Sequence, residues 1–290
     1  MTDNELSGRD GGTNPFASLY QRARDDLLTE SVNETTVETR AGPTHVLTVG
    51  DAGAPPLVVF QGGNVTNPVT LAWVEALADE YHLVAPDTPG EPGLVETAHP
   101  PAFGPWVADV LDEMGIDSAS MVGLSHGAGV LLEAAANVPG RIDAAALVVP
   151  AGFGVSFTVD LLRIVTLSLA YRVAPSERLL AAALAPLFTD AVGSLPPVVR
   201  ETVGTALRTA DTKTGFPGPD SPSELATFDA PTLLVGAEHD PFFRASWLHA
   251  AAAPYLPADT KALTFQNERH FLSTAAQARL RDEIRSFLSA

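Results

Sequence analysis

From residue 57 onward, short and wholly apolar runs alternate along the chain with segments of helical periodicity. The apolar runs lie in PLVVFQGG, HLVAPD, SMVGL and AAALVV, and the helical segments fall near residues 69–79, 105–114 and 126–137. A strand without polar alternation is buried on both faces, as in a parallel sheet covered by crossover helices. The pattern therefore predicts an α/β fold, with a mostly parallel central sheet and helices on both of its faces.

The chain before this alternation contains a polar tail, an amphipathic helix and two strand-like runs. In NPFASLYQRARDDLLTE, Asn14 is a candidate N-cap, Pro15 lies in the first turn, and the apolar residues share one helical face. We expect this helix to dock on the domain, and we assign residues 1–34 to the tail and docking helix. The runs TTVETR and THVLTVG flank Ala41-Gly42-Pro43 and predict a hairpin.

The alternation breaks after AAALVV and resumes with PTLLVGAEHD and TKALTF. The segment between them carries three helical patterns, at 157–174, 176–188 and 196–210. We interpret residues 151–226 as a helical cap inserted into a core formed by residues 35–150 and 227–290. Phe157 and Leu161 are candidates for substrate binding in this cap, although helical periodicity alone also fits a face packed in a core.

The chain of 290 residues is strongly acidic, with 35 Asp and Glu against 17 basic residues and a net charge of −18. Only Lys213 and Lys261 are lysines. Such a surface repels nucleic acid and anionic lipid, and its self-repulsion destabilises the compact state at low salt. We therefore predict a salt-adapted, halophilic protein that binds no nucleic acid; an ordinary acidic cytosolic enzyme is the alternative.

Two observations bear on compartment and membrane. The start, MTDNELSGRDGGTN, lacks the basic and apolar regions of a secretory signal, whereas the absence of cysteine indicates no compartment and excludes only disulfides and thiolate metal sites. The longest apolar stretch, VDLLRIVTLSLAYRVA, carries Asp160, Arg163 and Arg172, which are too many charges for a membrane span. We expect a cytoplasmic protein with no membrane partner.

The pentapeptide GLSHG lies between the apolar run SMVGL and a helical segment, with Ser125 at its centre. A dinucleotide-binding turn has the pattern G-x-G-x-x-G, and Ser125 occupies the position of the middle glycine. The spacing instead matches G-x-S-x-G, the nucleophile elbow, in which Gly123 and Gly127 leave room for a sharp turn. This pattern predicts that Ser125 is a nucleophile.

A serine nucleophile needs a base and an acid, which in this fold follow it in the order acid and then histidine. Asp240 follows the run PTLLVGA, and His270 follows KALTF. We assign His270 as general base and then acid, and Asp240 as the residue that orients and stabilises it. Glu238 and His239 belong to the same loop as Asp240 and remain rivals. The other histidines are read as ordinary surface or core residues: His45, His82, His99, His126 and His249.

Attack on a carbonyl carbon creates an oxyanion, which needs preorganised N–H donors. The elbow supplies one donor, the backbone N–H of His126 at the start of its helix. The glycine-rich loop Gln61–Asn64 supplies the second, and Gly63 is the candidate. A tight connection between strand and helix is the alternative explanation for these glycines.

With these residues placed, the sequence resembles the α/β-hydrolase superfamily over residues 35–290, and more narrowly the bacterial carboxylesterases that include the naproxen-ester hydrolases. The matching motifs are THVL, APPLVVFQGG, APDTPGEPG, LDEMGIDSASMVGLSHGAG, GFP, APTLLVGAEHD and RHFL. The resemblance implies an α/β-hydrolase fold, the same three catalytic residues, and an oxyanion loop at Gly62 and Gly63. The sequence departs from the family pattern at Gln61, where many members have histidine, and at NERH before the catalytic histidine.

These features together predict a serine hydrolase that cleaves carboxylic esters through an acyl-enzyme, without a cofactor or a metal. The same residues also serve thioesterases, amidases, C–C bond hydrolases and cofactor-free perhydrolases, and fold does not separate these activities. A haloalkane dehalogenase needs a carboxylate at the elbow and is disfavoured. A slow binding or signalling protein with a complete site is a further alternative.

Overall fold

The computed structural model of the chain describes residues 14–95, 100, 102–209 and 215–289. Eight strands form one sheet in the order β1-β2-β4-β3-β5-β6-β7-β8. The strands are β1 Val32–Thr39, β2 Gly42–Val49, β3 Pro56–Phe60, β4 His82–Pro86, β5 Ala119–Leu124, β6 Ile142–Val148, β7 Thr232–Ala237 and β8 Lys261–Phe265. The two pairs β1–β2 and β2–β4 are antiparallel, and every other neighbouring pair is parallel. The predicted mostly parallel sheet is confirmed.

Nine α-helices occur in the described residues. They are α1 Ala17–Leu27, α2 Asn67–Leu71, α3 Phe103–Glu113, α4 His126–Asn137, α5 Val159–Val173, α6 Glu177–Leu184, α7 Pro197–Thr209, α8 Ala245–Ala252 and α9 Thr274–Leu288. Helices α5, α6 and α7 lie between β6 and β7, where the alternation of the sequence is interrupted. None of the helices in these ranges has the length and apolar character that crossing a bilayer requires.

Two hydrophobic cores lie on opposite faces of the sheet. Along β3, Val58 and Phe60 belong to the core that contains α3 and α4, whereas Leu57 and Val59 belong to the core beneath α9. All four side chains are fully buried. Because successive side chains of a strand point to opposite faces, a run without polar residues requires cover on both sides.

The amino-terminal elements confirm the predicted hairpin and shift the predicted helix start. Thr39 pairs with Gly42, which has a φ of 105°, so a two-residue loop joins β1 to β2. Helix α1 begins at Ala17, and Asn14 accepts a hydrogen bond from the Phe16 N–H just before the helix. Asn14 is therefore not the N-cap of α1, and its side-chain amide donates to the carbonyl oxygens of residues 93 and 94 in the loop after β4. The predicted tail, residues 1–13, and His99 lie outside the described residues.

The helix predicted near residues 69–79 is two short helices rather than one. Helix α2 ends at Leu71, and a 3₁₀ helix follows over Glu75–Asp79. In a helix of three residues per turn, side chains three apart align on one side. Hydrogen bonds of this tighter type run from the Val74 N–H to the Leu71 carbonyl oxygen and from the Leu77 N–H to the Val74 carbonyl oxygen, and all three side chains are fully buried against the sheet.

A third hydrophobic core joins the inserted helices to the amino-terminal ones. Its buried members include Ala23 of α1, Val69 of α2, Ile164 of α5 and Val203 of α7. The sheet therefore does not bury these side chains directly. Helix α7 instead packs against α1 and α5, and α1 packs against α2.

Candidate active site

Ser125 lies at the turn between β5 and α4, with φ 51° and ψ −112°. A residue other than glycine rarely adopts a positive φ, and such a backbone conformation costs about 1–3 kcal/mol. The turn is tight because a Cβ at Gly127 would lie 2.2 Å from the Phe60 carbonyl oxygen. A Cβ at Gly123 would lie 2.5 Å from the Ala128 Cα. Both glycines of the predicted elbow are therefore required by close backbone contacts.

The structure brings the side chains of Ser125, His270 and Asp240 together in one hydrogen-bonded chain. The His270 Nε2 lies 2.9 Å from the Ser125 Oγ, and its Nδ1 lies 2.7 Å from the Asp240 Oδ2. Asp240 is completely buried and His270 is 7% exposed. This geometry allows the imidazole to take a proton from the hydroxyl while the carboxylate fixes its tautomer.

The loop after β7 holds Asp240 by its backbone. The Asp240 Oδ1 accepts hydrogen bonds from the N–H groups of Phe242 and Phe243, at 2.7 and 2.9 Å. The rings of these two phenylalanines also lie beside His270, with centroid distances of 5.1 and 5.7 Å. One carboxylate oxygen is therefore committed to the loop, and the other is directed at the imidazole.

Glu238 and His239, the other two candidates in this loop, make different contacts. Glu238 accepts a hydrogen bond from the Asn267 N–H at 2.8 Å and bridges the loops that follow β7 and β8. The His239 side chain is 48% exposed, and its Nε2 lies 3.9 Å from the Glu238 Oε2. Neither side chain joins the hydrogen-bonded chain of Ser125.

Gly63 and His126 both line the cavity beside Ser125. A Cβ at Gly63 would lie 3.2 Å from the His126 Cβ, so the loop after β3 approaches the start of α4 closely. The Gly62 N–H is already bound to the Thr70 hydroxyl at 3.0 Å. Of the two glycines in this loop, Gly63 is therefore the better candidate for an oxyanion donor.

Gln61, where the family resemblance leads us to expect histidine, is fully buried and links two loops. Its amide nitrogen donates to the carbonyl oxygens of Val65 and Pro92, at 2.8 and 3.1 Å. Its amide oxygen accepts from the Thr88 N–H at 2.9 Å. The side chain thus ties the loop after β3 to the loop after β4, and no unpaired polar atom results from the replacement.

The charged residues of NERH are directed away from the hydrogen-bonded chain. Glu268 accepts hydrogen bonds from the N–H and the hydroxyl of Ser273, which precedes α9. Arg269 donates to the Pro186 carbonyl oxygen and pairs with Asp160 of α5 at 3.2 Å. These contacts anchor the loop that carries His270 to α9 and to the inserted helices.

Glu91 is a residue of this site that the sequence analysis did not identify. Its carboxyl group lies in the loop after β4, lines the cavity, and accepts a hydrogen bond from the Asn64 N–H at 2.7 Å. Burial raises the pKa of Glu91 to about 7, against the opposing effect of the Asn64 hydrogen bond. The sequence signal is weak, because one glutamate in a loop of glycine and proline is ordinarily solvated.

A cavity of about 910 Å³ opens over Ser125 and His270. Its wall is formed by the loops after β3 and β4, the start of α4, and helices α5 and α7. Most of the lining is apolar, and it includes Val69, Trp73, Ile164, Leu169, Val203 and Phe271. The volume matches that of a small-molecule site, which usually combines an apolar wall with a few polar groups. In the residues that the structure describes, no three His, Asp or Glu side chains are grouped to hold a metal ion.

The two predicted substrate-binding residues do not line this cavity. Phe157 precedes α5 and is 97% exposed, and Leu161 lies one turn before Ile164 on the same face of the helix, outside the cavity lining. Helix α5 directs Ile164, Ser168 and Leu169 to the cavity instead. Phe157 lies in the exposed segment before α5, and helical periodicity does not distinguish Leu161 from the residues one and two turns further along the same face.

Comparisons with known proteins agree on one family. The sequence model of the alpha/beta hydrolase family matches residues 62–283. Among curated proteins, carboxylesterase YbfK of Bacillus subtilis is 24% identical over 87% of this chain and 86% of its own length. The uncharacterized carboxylesterase nap of the same organism is 26% identical over 88% of this chain and 86% of its own length.

Solved structures show the same fold. The naproxen esterase (carboxylesterase NP) of Bacillus subtilis superimposes with a TM-score of 0.78 at 22% identity and covers 99% of both chains. A putative hydrolase from Bacillus subtilis gives a TM-score of 0.80 at 22% identity, over 94% of this chain and 97% of its own. The sheet order, the strained serine turn and the match over most of the chain lead to one conclusion: the protein belongs to the α/β-hydrolase family.

Proposed function

We propose that this protein is a serine hydrolase that cleaves carboxylic esters through an acyl-enzyme. The hydrogen-bonded chain from Ser125 through His270 to Asp240 is the observation that carries the proposal, because it activates a hydroxyl inside a mostly apolar cavity. The carboxylesterase names of the two Bacillus subtilis relatives support the ester as the substrate class.

The first half of the reaction acylates Ser125. The His270 Nε2 removes the proton from the Ser125 Oγ, which attacks the ester carbonyl carbon and forms a tetrahedral intermediate. Asp240 stabilises the resulting imidazolium. The backbone N–H groups of Gly63 and His126 bind the oxyanion, and His270 then returns the proton to the departing alcohol.

The second half releases the acid. A water molecule gives its proton to the His270 Nε2 and attacks the acyl carbon on Ser125. The second tetrahedral intermediate collapses, the Ser125 Oγ leaves with the proton from the imidazolium, and a carboxylic acid is released. This cycle needs no cofactor, because the nucleophile, the base and the oxyanion donors all belong to the chain.

We also infer that residues 151–226 act as the cap over the substrate. Helices α5 and α7 of this segment contribute Ile164, Leu169 and Val203 to the cavity wall. In this arrangement the cap supplies the apolar surface that receives the acyl or aryl group, and the loops after β3 and β4 supply the polar side.

A panel of p-nitrophenyl esters of increasing acyl length tests the proposal. The Ser125→Ala variant should lose at least about 10⁴-fold in kcat on every ester while keeping its melting temperature. Ser194→Ala is the matched control, since its exposed hydroxyl donates to the Ala191 carbonyl oxygen and does not line the cavity, and it should retain full activity. Undiminished turnover in Ser125→Ala would reject the proposal. Faster turnover of matched thioesters or amides than of esters would reject the ester as the substrate class.

A further inference from the structure

Glu91 holds a carboxyl group against the proposed oxyanion site, where the mechanism above gives it no role. The side chain is 14% exposed. Its Oε2 accepts the Asn64 N–H at 2.7 Å, and its Oε1 lies 3.4 Å from the His126 Nε2. The carboxyl group therefore contacts the loop after β3 with one oxygen and the first residue of α4 with the other.

Through these two contacts Glu91 lies beside both proposed oxyanion donors. Gly63 directly precedes Asn64, and His126 itself carries the second donor. A Cβ at Gly63 would lie 3.2 Å from the His126 Cβ and 3.7 Å from the Glu91 Oε2, so the three residues pack closely. Asn64 has a φ of 62°, and its N–H remains directed at the carboxyl group in this unusual conformation.

We propose that Glu91 is a positioning residue for ester hydrolysis: its carboxyl group ties the loop of Gly63 to the start of α4 and thereby fixes the spacing of the two oxyanion donors. The inference rests on the proposed function, since it concerns the same site. Glu91 acts on the reaction through Asn64 and His126, which it holds in place, and forms no bond to the reacting atoms.

The charge of the carboxyl group matters because an oxyanion develops nearby. A protonated Glu91 still accepts the Asn64 N–H through its carbonyl oxygen, whereas an ionised Glu91 adds a negative charge that opposes the oxyanion. Burial raises the pKa of Glu91 to about 7, so both forms occur near neutral pH. Among the residues that the structure describes, the other titratable groups that line the same cavity are His126 of α4, Arg172 of α5 and His270. We expect kcat to fall as Glu91 ionises.

Two substitutions separate the tie from the charge. Glu91→Ala removes the tie and should lower kcat by about tenfold or more at every pH, with KM changed by less than about threefold. Glu91→Gln keeps an acceptor for the Asn64 N–H without a charge. It should match the wild-type kcat within about threefold at pH 6 and exceed it by about fivefold or more at pH 9.

The ratio of the Glu91→Gln profile to the wild-type profile is the decisive readout. Every pH effect that the two proteins have in common cancels in the ratio, and the remaining transition should be centred near pH 7. A merely structural role for Glu91 would leave this ratio flat. Glu75 provides the matched control: its buried carboxylate accepts the N–H groups of Thr29 and Glu30, and it lies outside the cavity lining. Glu75→Gln should show a flat ratio.

Three outcomes would overturn the inference. They are a wild-type kcat in Glu91→Ala, a flat ratio for Glu91→Gln, and an effect on KM alone. If Glu91→Ala fails to fold, Glu91→Asp replaces it: the shorter side chain cannot hold both contacts, so its kcat should fall, and a wild-type kcat would overturn the inference. The Ser125→Ala variant is measured in parallel. If it loses activity while the Glu91 variants keep normal activity, the role of Glu91 is rejected and the proposed ester hydrolysis still stands.

Discussion

Asp240 and Glu238 differ in what their carboxylates bind, although they are two residues apart. One oxygen of Asp240 accepts hydrogen bonds from two backbone N–H groups of its own loop, and the other binds His270. Glu238 binds the Asn267 N–H and holds two loops together. Proximity in sequence left both residues as candidates for the acid, and the structure distinguishes them by the direction of each side chain.

Replacing the acid should therefore be far more damaging than replacing its neighbour. Asp240→Asn should lower kcat by about 10³–10⁴-fold, because an amide at this position neither favours the required tautomer nor stabilises the imidazolium. Glu238→Gln, the control, should stay within about threefold of wild type. Steady-state kinetics on one p-nitrophenyl ester suffice, and the opposite ranking would transfer the role of the acid to Glu238.

The raised pKa of Glu91 also predicts how stability depends on pH. In the unfolded chain this carboxyl group has a pKa near the ordinary value of 4.5, and in the folded protein the pKa is about 7. The folded state therefore holds the proton more tightly, and stability is lost as pH rises from about 4.5 through 7. Glu91→Gln removes this loss, which is at most about 3 kcal/mol.

Urea unfolding at pH 5 and pH 8 measures this effect. The stability of Glu91→Gln relative to wild type should rise between the two values, whereas that of the control Glu75→Gln should not show this rise. If the free energies of unfolding of Glu91→Gln and wild type differed equally at pH 5 and pH 8, Glu91 would be ionised at both pH values.

At the scale of helices and strands, α5 and α7 place particular side chains over the cavity. Val203 of α7 is buried and lines the cavity, so Val203→Phe should reduce the room for a long acyl chain. We expect its kcat/KM to fall by about tenfold or more for octanoate esters and by less than about threefold for acetate esters. Phe157→Ala is the control, because that side chain is exposed and outside the cavity wall. A uniform loss across all chain lengths would assign Val203 to folding alone.

Elements with one clear periodicity were predictable from the sequence, and elements with ambiguous faces were not. The buried strands, the turn at Ser125 and the order of Asp240 and His270 all follow from local patterns. The part of α5 that lines the cavity did not follow, because periodicity gives the face of a helix and does not say which of its turns lie over the site. Glu91 was also missed, since its partner Asn64 is 27 residues away and burial of a loop carboxylate is set by tertiary packing.

At the scale of the whole molecule, the net charge of −18 is the dominant feature of the surface. Several arginines are already paired with acids across the fold, such as Arg40 with Asp109 and Arg285 with Glu80. Exposed pairs of this kind contribute little stability each, so they do not offset the repulsion among the excess carboxylates.

Salt should therefore stabilise the folded chain. The Debye length falls from about 10 Å at 0.1 M salt to about 3 Å at 1 M, so screening alone should deliver most of the gain below about 1 M. Sodium and potassium chloride should then act nearly alike. A further rise above that concentration would indicate salt exclusion from the surface. The measurement is the melting temperature at fixed pH in increasing chloride, and a flat or falling curve would leave an ordinary acidic enzyme.

The central claim, that Ser125 is the nucleophile of an ester hydrolase, is tested most directly by stoichiometric labelling with a fluorophosphonate. We expect one label per chain, located on the Ser125 peptide by mass spectrometry, and loss of ester turnover in proportion to labelling. Labelling of a different residue, or full turnover after stoichiometric labelling, would contradict it.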